Sequence, residues 1–276
     1  MRFESDPMPL LRFERRRVLI SLLGLWVLCN VVAYGIIVYN ECLDTQIAVY
    51  VANHSDRGDD YGDLISLPAG YATTGRKWPV LLFLHGAGQR GNDLQAVKEH
   101  GIPRLLKEGQ EFPFIVVSPQ TQRSGWKSEP LLRLLDQIEE RYNVDSSRIY
   151  ATGLSMGGYG VWRLAAAAPD RFAEIAPMCG GGAPSSAESM KSLPVWVIHG
   201  AKDDVVPLSE SEEIVAALNA VGANIRFTIY PDADHNCWDR TYAAPELYSW
   251  MLQYSNAMVT NSAQHERRLH TRRETR

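Results

Sequence analysis

The sequence predicts a mostly parallel, doubly wound α/β sheet flanked by helices. Three observations carry that expectation. Short apolar runs alternate with helical patterns from residue 63 onward. Several runs, Val80-Leu81-Leu82-Phe83-Leu84 above all, are apolar without alternation, as strands buried on both faces are. The ends of several runs hold Gly, His, Ser and Asp in place of neutral turns, at the carboxyl edge where such sheets bind ligands. The chain has 276 residues, 45% hydrophobic and 22% charged, with a net charge of −4, which suits one globular domain with appendages. Its basic residues are scattered or gathered at the two ends, and no basic stripe is interleaved with aromatics, so nucleic acid is set aside as a partner.

Taken in order, the chain opens with a basic segment, residues 1–17, that carries Arg12, Arg15, Arg16 and Arg17. Residues 18–39 follow without one charge, long enough to span a bilayer core as a helix. Arginines before this run, with Glu41 and Asp44 after it, predict a single-pass signal anchor. The N-terminus would then be cytoplasmic and the remainder extracytoplasmic, whether periplasmic, extracellular or lumenal. A cleaved signal peptide is the competing reading, but its apolar region is shorter and ends in a small-residue site that is not evident here. Residues 40–62 are polar and turn-rich and read as a stalk, with only Ile47–Val51 able to form a strand.

The catalytic-size domain is expected over residues 63–255. Its candidate strands are Asp63–Leu67, Val80–Leu84, Phe114–Ser118, Arg148–Thr152, Glu174–Met178, Val195–Ile198 and Asn224–Tyr230. Helical patterns lie near Asp93–Glu108, Pro130–Tyr142, Met156–Ala168, Ser209–Val221 and Pro245–Gln253. Residues 256–276 read as a solvated polar tail.

The stretch Arg148–Gly160 passes from a β-run through Gly153-Leu154-Ser155-Met156-Gly157 into a helical pattern. A serine at the tip of so tight a turn presents its hydroxyl above the sheet only if its neighbours lack a clashing Cβ, which places glycines two before and two after. The helix that follows aims its free N–H groups back at the turn, so the Met156 amide can stabilise an oxyanion. Val80–Leu84 runs into His85-Gly86-Ala87-Gly88, the usual place for a second oxyanion donor, here the Ala87 amide. Val195–Ile198 runs into His199-Gly200-Ala201-Lys202-Asp203-Asp204, where either aspartate could orient a catalytic histidine. That histidine is His235, after the last strand. Of the seven histidines it alone has the required position, and His85 and His199 read as loop-holding residues. The order Ser155, acid, His235 is that of one large hydrolase class.

Together, Phe83–Gly88, Gly153–Gly160, His199–Pro207 and Asp234-His235-Asn236-Cys237-Trp238 resemble the carboxylesterase, feruloyl esterase and polyhydroxybutyrate-depolymerase-like group of α/β-hydrolases, often labelled predicted peptidases. The resemblance covers about residues 63–255. It implies an α/β-hydrolase fold, and it selects Asp203 over Asp204, because in that group the acid lies four residues after the histidine of His-Gly-x-x-Asp. The expected activity is carboxylic ester hydrolysis through an acyl-enzyme, on a small or polymeric ester. A serine peptidase of the same fold and a non-catalytic, membrane-tethered binding protein are the alternatives; the intact set of Ser155, Asp203 and His235 argues against the latter. Trp126 and Trp238 are candidates for lining the substrate pocket, and Arg90 and Asp93 could bind a polar substrate group or pair with each other. No cluster has metal-ligand spacing and no dinucleotide or phosphate loop is present, so neither metal nor cofactor is expected. Of the cysteines, Cys179 and Cys237 each follow a sheet strand near the proposed site; a bridge between them is conceivable if the domain is exported, but connectivity does not follow from sequence.

Overall fold

The computed structural model describes residues 45–50 and 61–256. The segments 1–17 and 18–39, most of the stalk and the tail beyond Asn256 lie outside the described residues. Among the described residues no helix is long and apolar enough to cross a membrane.

One eight-stranded sheet organises the described residues, in the order β1-β2-β4-β3-β5-β6-β7-β8. In chain order the strands are β1 (Gln46–Tyr50), β2 (Gly62–Ser66), β3 (Trp78–Leu84), β4 (Ile115–Gln120), β5 (Val144–Leu154), β6 (Glu174–Met178), β7 (Val195–Gly200) and β8 (Ile225–Tyr230). The run from β4 through β8 is parallel, and β2 joins β4 antiparallel, as β1 joins β2. The strand-capable stretch of the expected stalk is therefore paired into the sheet, with Gln46 opposite Ser66 and Tyr50 opposite Gly62. Pairing satisfies the outer N–H and C=O groups of β2, which would otherwise form an open edge.

The unalternating apolar strands are buried on both faces, as their composition predicts. All seven residues of β3 are buried. Val80, Leu82 and Leu84 enter one core cluster while Leu81 and Phe83 enter the other, because successive side chains point to opposite faces.

The helices, in chain order, are α1 (Tyr71–Thr74), α2 (Leu94–Val97), α3 (Gly101–Lys107), α4 (Ser128–Arg141), α5 (Met156–Ala167), α6 (Ser209–Ala220), α7 (Trp238–Ala243) and α8 (Pro245–Met251). Apolar residues of α4, α5 and α6 cover the first face, among them Leu134, Trp162 and Ile214. The second face is covered from α3, α7 and α8, by Leu106, Tyr242 and Met251 among others. The single helix expected over Asp93–Glu108 is two helices. Gly101 sits at φ 63°, where a Cβ would press on the Phe83 ring, and this left-handed residue starts α3 in a new direction.

Candidate active site

β5 ends at Leu154 and α5 begins at Met156, which leaves Ser155 alone in the turn. Its backbone has φ 53° and ψ −119°, a strained conformation for a residue with a Cβ. The surrounding structure holds it: the Ser155 N–H donates to the Met178 carbonyl at 3.0 Å, and its own carbonyl accepts from the Tyr159 N–H at 3.1 Å. The flanking glycines are required by space. A Cβ on Gly153 would lie 2.7 Å from the Gly157 carbonyl group and 2.8 Å from the Leu84 oxygen, and one on Gly157 would overlap the Leu84 carbonyl.

The side chains that follow β7 and β8 meet this serine. His235 Nε2 lies 2.9 Å from Ser155 Oγ, and His235 Nδ1 lies 2.7 Å from Asp203 Oδ2. An ionised carboxylate only accepts, so Nδ1 carries the proton and Nε2 is left to accept from the serine hydroxyl. The Asp203 carboxyl is fully buried, whereas the His235 side chain is 17% exposed. Burial alone would raise the Asp203 pKa. The hydrogen bond from His235 and those from the Val206 and Val205 amides, at 2.8 and 2.9 Å, outweigh it and hold the carboxyl below its ordinary range. Asp204 is exposed, and no bond joins it to His235.

His199 supports the acid from behind. Its Nε2 faces two acceptors, the Val206 carbonyl at 3.0 Å and Asp203 Oδ2 at 3.2 Å, so that nitrogen carries the proton. Its Nδ1 lies 2.7 Å from the Ser211 hydroxyl. The sequence shows His199 only as a loop-holding residue; its contact with the acid becomes visible once Asp203 folds back over β7.

The turn after β3 lies against the serine turn. A Cβ on Gly86 would come 2.7 Å from Leu154 Cδ1, and one on Gly157 would come 2.9 Å from the His85 oxygen. Ala87 opens a 3₁₀ turn over Ala87–Gln89, and Met156 opens α5, so both amides stand at first-turn positions without an intrahelical acceptor. His85 anchors the turn. Its Nδ1–H donates to the Gly86 carbonyl at 2.6 Å and its Nε2 accepts from the Thr121 N–H at 3.1 Å. Burial pushes its pKa down to about 4, so the ring is neutral. The buried Gln120 adds a second tie, donating to the Gln89 and Asp93 carbonyls at 2.8 Å each.

The two tryptophans take different places. Trp126 is 1% exposed and donates its indole N–H to the His85 carbonyl at 3.2 Å, with its ring edge-on to His85 at 4.8 Å. The expectation that it lines the pocket is corrected: Gly160 leaves room for it beneath the turn after β3, where it is buried. Trp238 stays beside the site, 7% exposed and edge-on to His235 at 5.1 Å. Arg90 and Asp93 do not pair. Arg90 donates to the Ala87 carbonyl at 2.8 Å, and the Asp93 carboxylate caps α2 by accepting from the Gln95 N–H at 3.0 Å. Among the described residues, Cys179, Asp203 and His235 bring three metal-ligand types within 4.8 Å of one another. Asp203 and His235 are already bonded to each other, and the Cys179 thiol donates to the His235 carbonyl at 3.2 Å.

Sheet order, serine turn and the Ser155–His235–Asp203 line together define the α/β-hydrolase class. The model of the dienelactone hydrolase family matches residues 119–263, more than half of the chain, and the chain belongs to that family. It is 30% identical over 142 residues to a bifunctional acetylxylan esterase/xylanase of Neocallimastix patriciarum, covering 49% of this chain and 20% of that protein. It is 33% identical over 122 residues to poly(3-hydroxyalkanoate) depolymerase C of Paucimonas lemoignei, covering 37% of this chain and 28% of that protein. Among solved structures, the crystal structure of a thermostable esterase shares 31% identity with a TM-score of 0.64, covering 77% of this chain and 64% of that one. The chain thus spans less than a third of the length of these two curated relatives. The resemblance read from the four motifs is borne out.

Proposed function

We propose that the chain is a serine esterase that cleaves a small or polymeric carboxylic ester through an acyl-enzyme. The observation that carries this reading is the continuous line from Ser155 Oγ to His235 Nε2 at 2.9 Å and from His235 Nδ1 to Asp203 at 2.7 Å. As Oγ attacks the ester carbonyl, its proton passes to Nε2; Asp203 keeps the ring oriented and stabilises the imidazolium. The Ala87 and Met156 amides receive the developing oxyanion, with the positive end of α5 behind the second of them. His235 then returns its proton to the departing alcohol, and water, activated by the same nitrogen, releases the acid. Trp238, edge-on to His235, borders the bound substrate.

The sequence of residues 1–44 supports a further part of the proposal. The uncharged run 18–39 behind an arginine cluster anchors the protein in a membrane, with the basic segment 1–17 cytoplasmic and the hydrolase domain, residues 63–255, extracytoplasmic. Relatives such as the depolymerase and the acetylxylan esterase support a polymeric ester among the substrates considered.

The test is turnover of p-nitrophenyl esters across acyl lengths by wild type and Ser155→Ala. Loss of about 10⁴-fold or more in kcat is expected for the variant, since the nucleophile cannot be replaced by its neighbours. Equal turnover in the two proteins would remove Ser155 from the chemistry.

A further inference from the structure

Cys179 and Cys237 are both fully buried and lie directly beneath the site. Cys179 follows β6, one residue beyond the Met178 carbonyl that holds the Ser155 amide. Cys237 follows His235 by two residues, and its N–H donates to the His235 carbonyl at 3.0 Å. The two sulfurs are 2.7 Å apart. Among the described residues only Ser155 and Cys179 carry a positive φ without being glycine, and Cys179 stands at 47°. Such backbone strain persists only where neighbouring contacts hold it, and here it directs a side chain at a second thiol 58 residues away in sequence.

We propose that Cys179 and Cys237 form a disulfide that ties the histidine loop to the strand end supporting the nucleophile. This inference stands independently of the esterase reading. The chemistry is thiol–disulfide exchange with a small-molecule disulfide such as oxidised glutathione. One cysteine thiolate attacks a glutathione sulfur and releases one glutathione thiol. The second cysteine thiolate then attacks the mixed disulfide at the protein sulfur and releases the other. Two protein thiols lose two electrons and two protons; one glutathione disulfide gains both pairs and becomes two thiols. In the reduced form the hydrogen bond with Cys179, and burial after it, raise the Cys237 pKa far above the ordinary thiol range. Both thiols are fully buried and out of reach of glutathione in the folded domain, so the bond closes before the domain does.

The experiment refolds the full chain from denaturant in a buffer of reduced and oxidised glutathione. The product is then denatured, blocked with N-ethylmaleimide without reductant, digested and examined by mass spectrometry. The expected result is one reducible cross-linked species that joins the Cys179 and Cys237 peptides. Maleimide on both residues, or a bond from either to Cys29, Cys42 or glutathione, overturns the proposal. A second reading compares melting of oxidised wild type, reduced wild type and Cys237→Ser. A fall of roughly 5–10 °C on reduction is expected in wild type, and no redox effect in the variant. Identical melting of oxidised and reduced wild type would overturn the bracing role. Neither measurement reads ester turnover, so failure here leaves the catalytic proposal separately testable.

Discussion

Asp203 spends both of its carboxylate oxygens inside the site. Oδ1 accepts from the Val205 and Val206 amides, and Oδ2 accepts from His235 with the His199 ring nitrogen 3.2 Å away. The two amides fix the carboxylate plane, and the free lone pairs then aim at the two histidines. Asp203→Asn keeps this shape but no longer dictates which His235 nitrogen is protonated, so the serine faces the wrong tautomer. A fall of about 10³–10⁴-fold in kcat on a p-nitrophenyl ester is expected. Asp204→Asn, one residue on and exposed, should stay within about twofold of wild type, since surface substitutions away from such contacts are nearly silent. If the two variants lose activity equally, Asp203 is not the orienting acid. Sequence alone left both aspartates eligible by position, and only resemblance separated them. Their difference lies in a backbone turn that folds one carboxyl under the loop and leaves its neighbour in water, and that is a tertiary fact.

At the scale of elements, the parallel strands and the strand–turn–helix around Ser155 were legible because composition dictates them. An unalternating apolar run has to be buried on both faces, and glycines at 153 and 157 have no other reason as strict as the Leu84 carbonyl beside them. The break at Gly101 was hidden because it answers to the Phe83 ring, a partner remote in sequence. Trp126 was misplaced for the same reason: position at a strand end did not reveal that Gly160 opens a slot for it. β2 carries a further feature that the sequence does not advertise. Asp63 is 1% exposed and neither carboxyl oxygen has a hydrogen-bond partner, so burial raises its pKa to about 8, with Arg141 opposing. The folded state therefore holds a proton that the unfolded state has lost between pH 3.8 and about 8. Stability from this group is complete below the unfolded value and drains away as pH rises through the folded one. By pH 7 the cost is on the order of 4 kcal/mol. Asp63→Asn carries no such charge. Its melting temperature relative to wild type should therefore climb from pH 4 to pH 8, by several degrees over that range. A difference that does not vary with pH would mean that Asp63 does not titrate in this window.

For the whole molecule, the sheet needs residues that the proposed anchor does not. The described residues from Thr45 onward form one compact unit, and β1 belongs to it: Gln46 donates to the Pro103 carbonyl at 2.9 Å and Thr45 bonds Ser66 at 3.0 Å. Composition alone joined β1 to the polar segment around it, because a five-residue strand at an edge has too little apolar surface to declare its partner. A chain beginning at Thr45 should therefore keep kcat/KM on a dissolved ester within about twofold of the full chain, because every side chain that reaches Ser155 is retained. It should also remain in the supernatant when membranes are sedimented, whereas the full chain should pellet with them and resist salt and alkaline extraction. A chain beginning at Tyr61 tests a different contact. It loses β1 and bares the outer hydrogen-bonding edge of β2, and exposed edges of this kind pair with other chains. Its melting temperature should fall and its aggregation should rise in proportion to protein concentration, with the ester site itself unchanged in the fraction that stays folded. Full-length protein recovered in the supernatant would reject the anchor, and equal stability of the two shortened chains would show that β1 contributes nothing to the sheet.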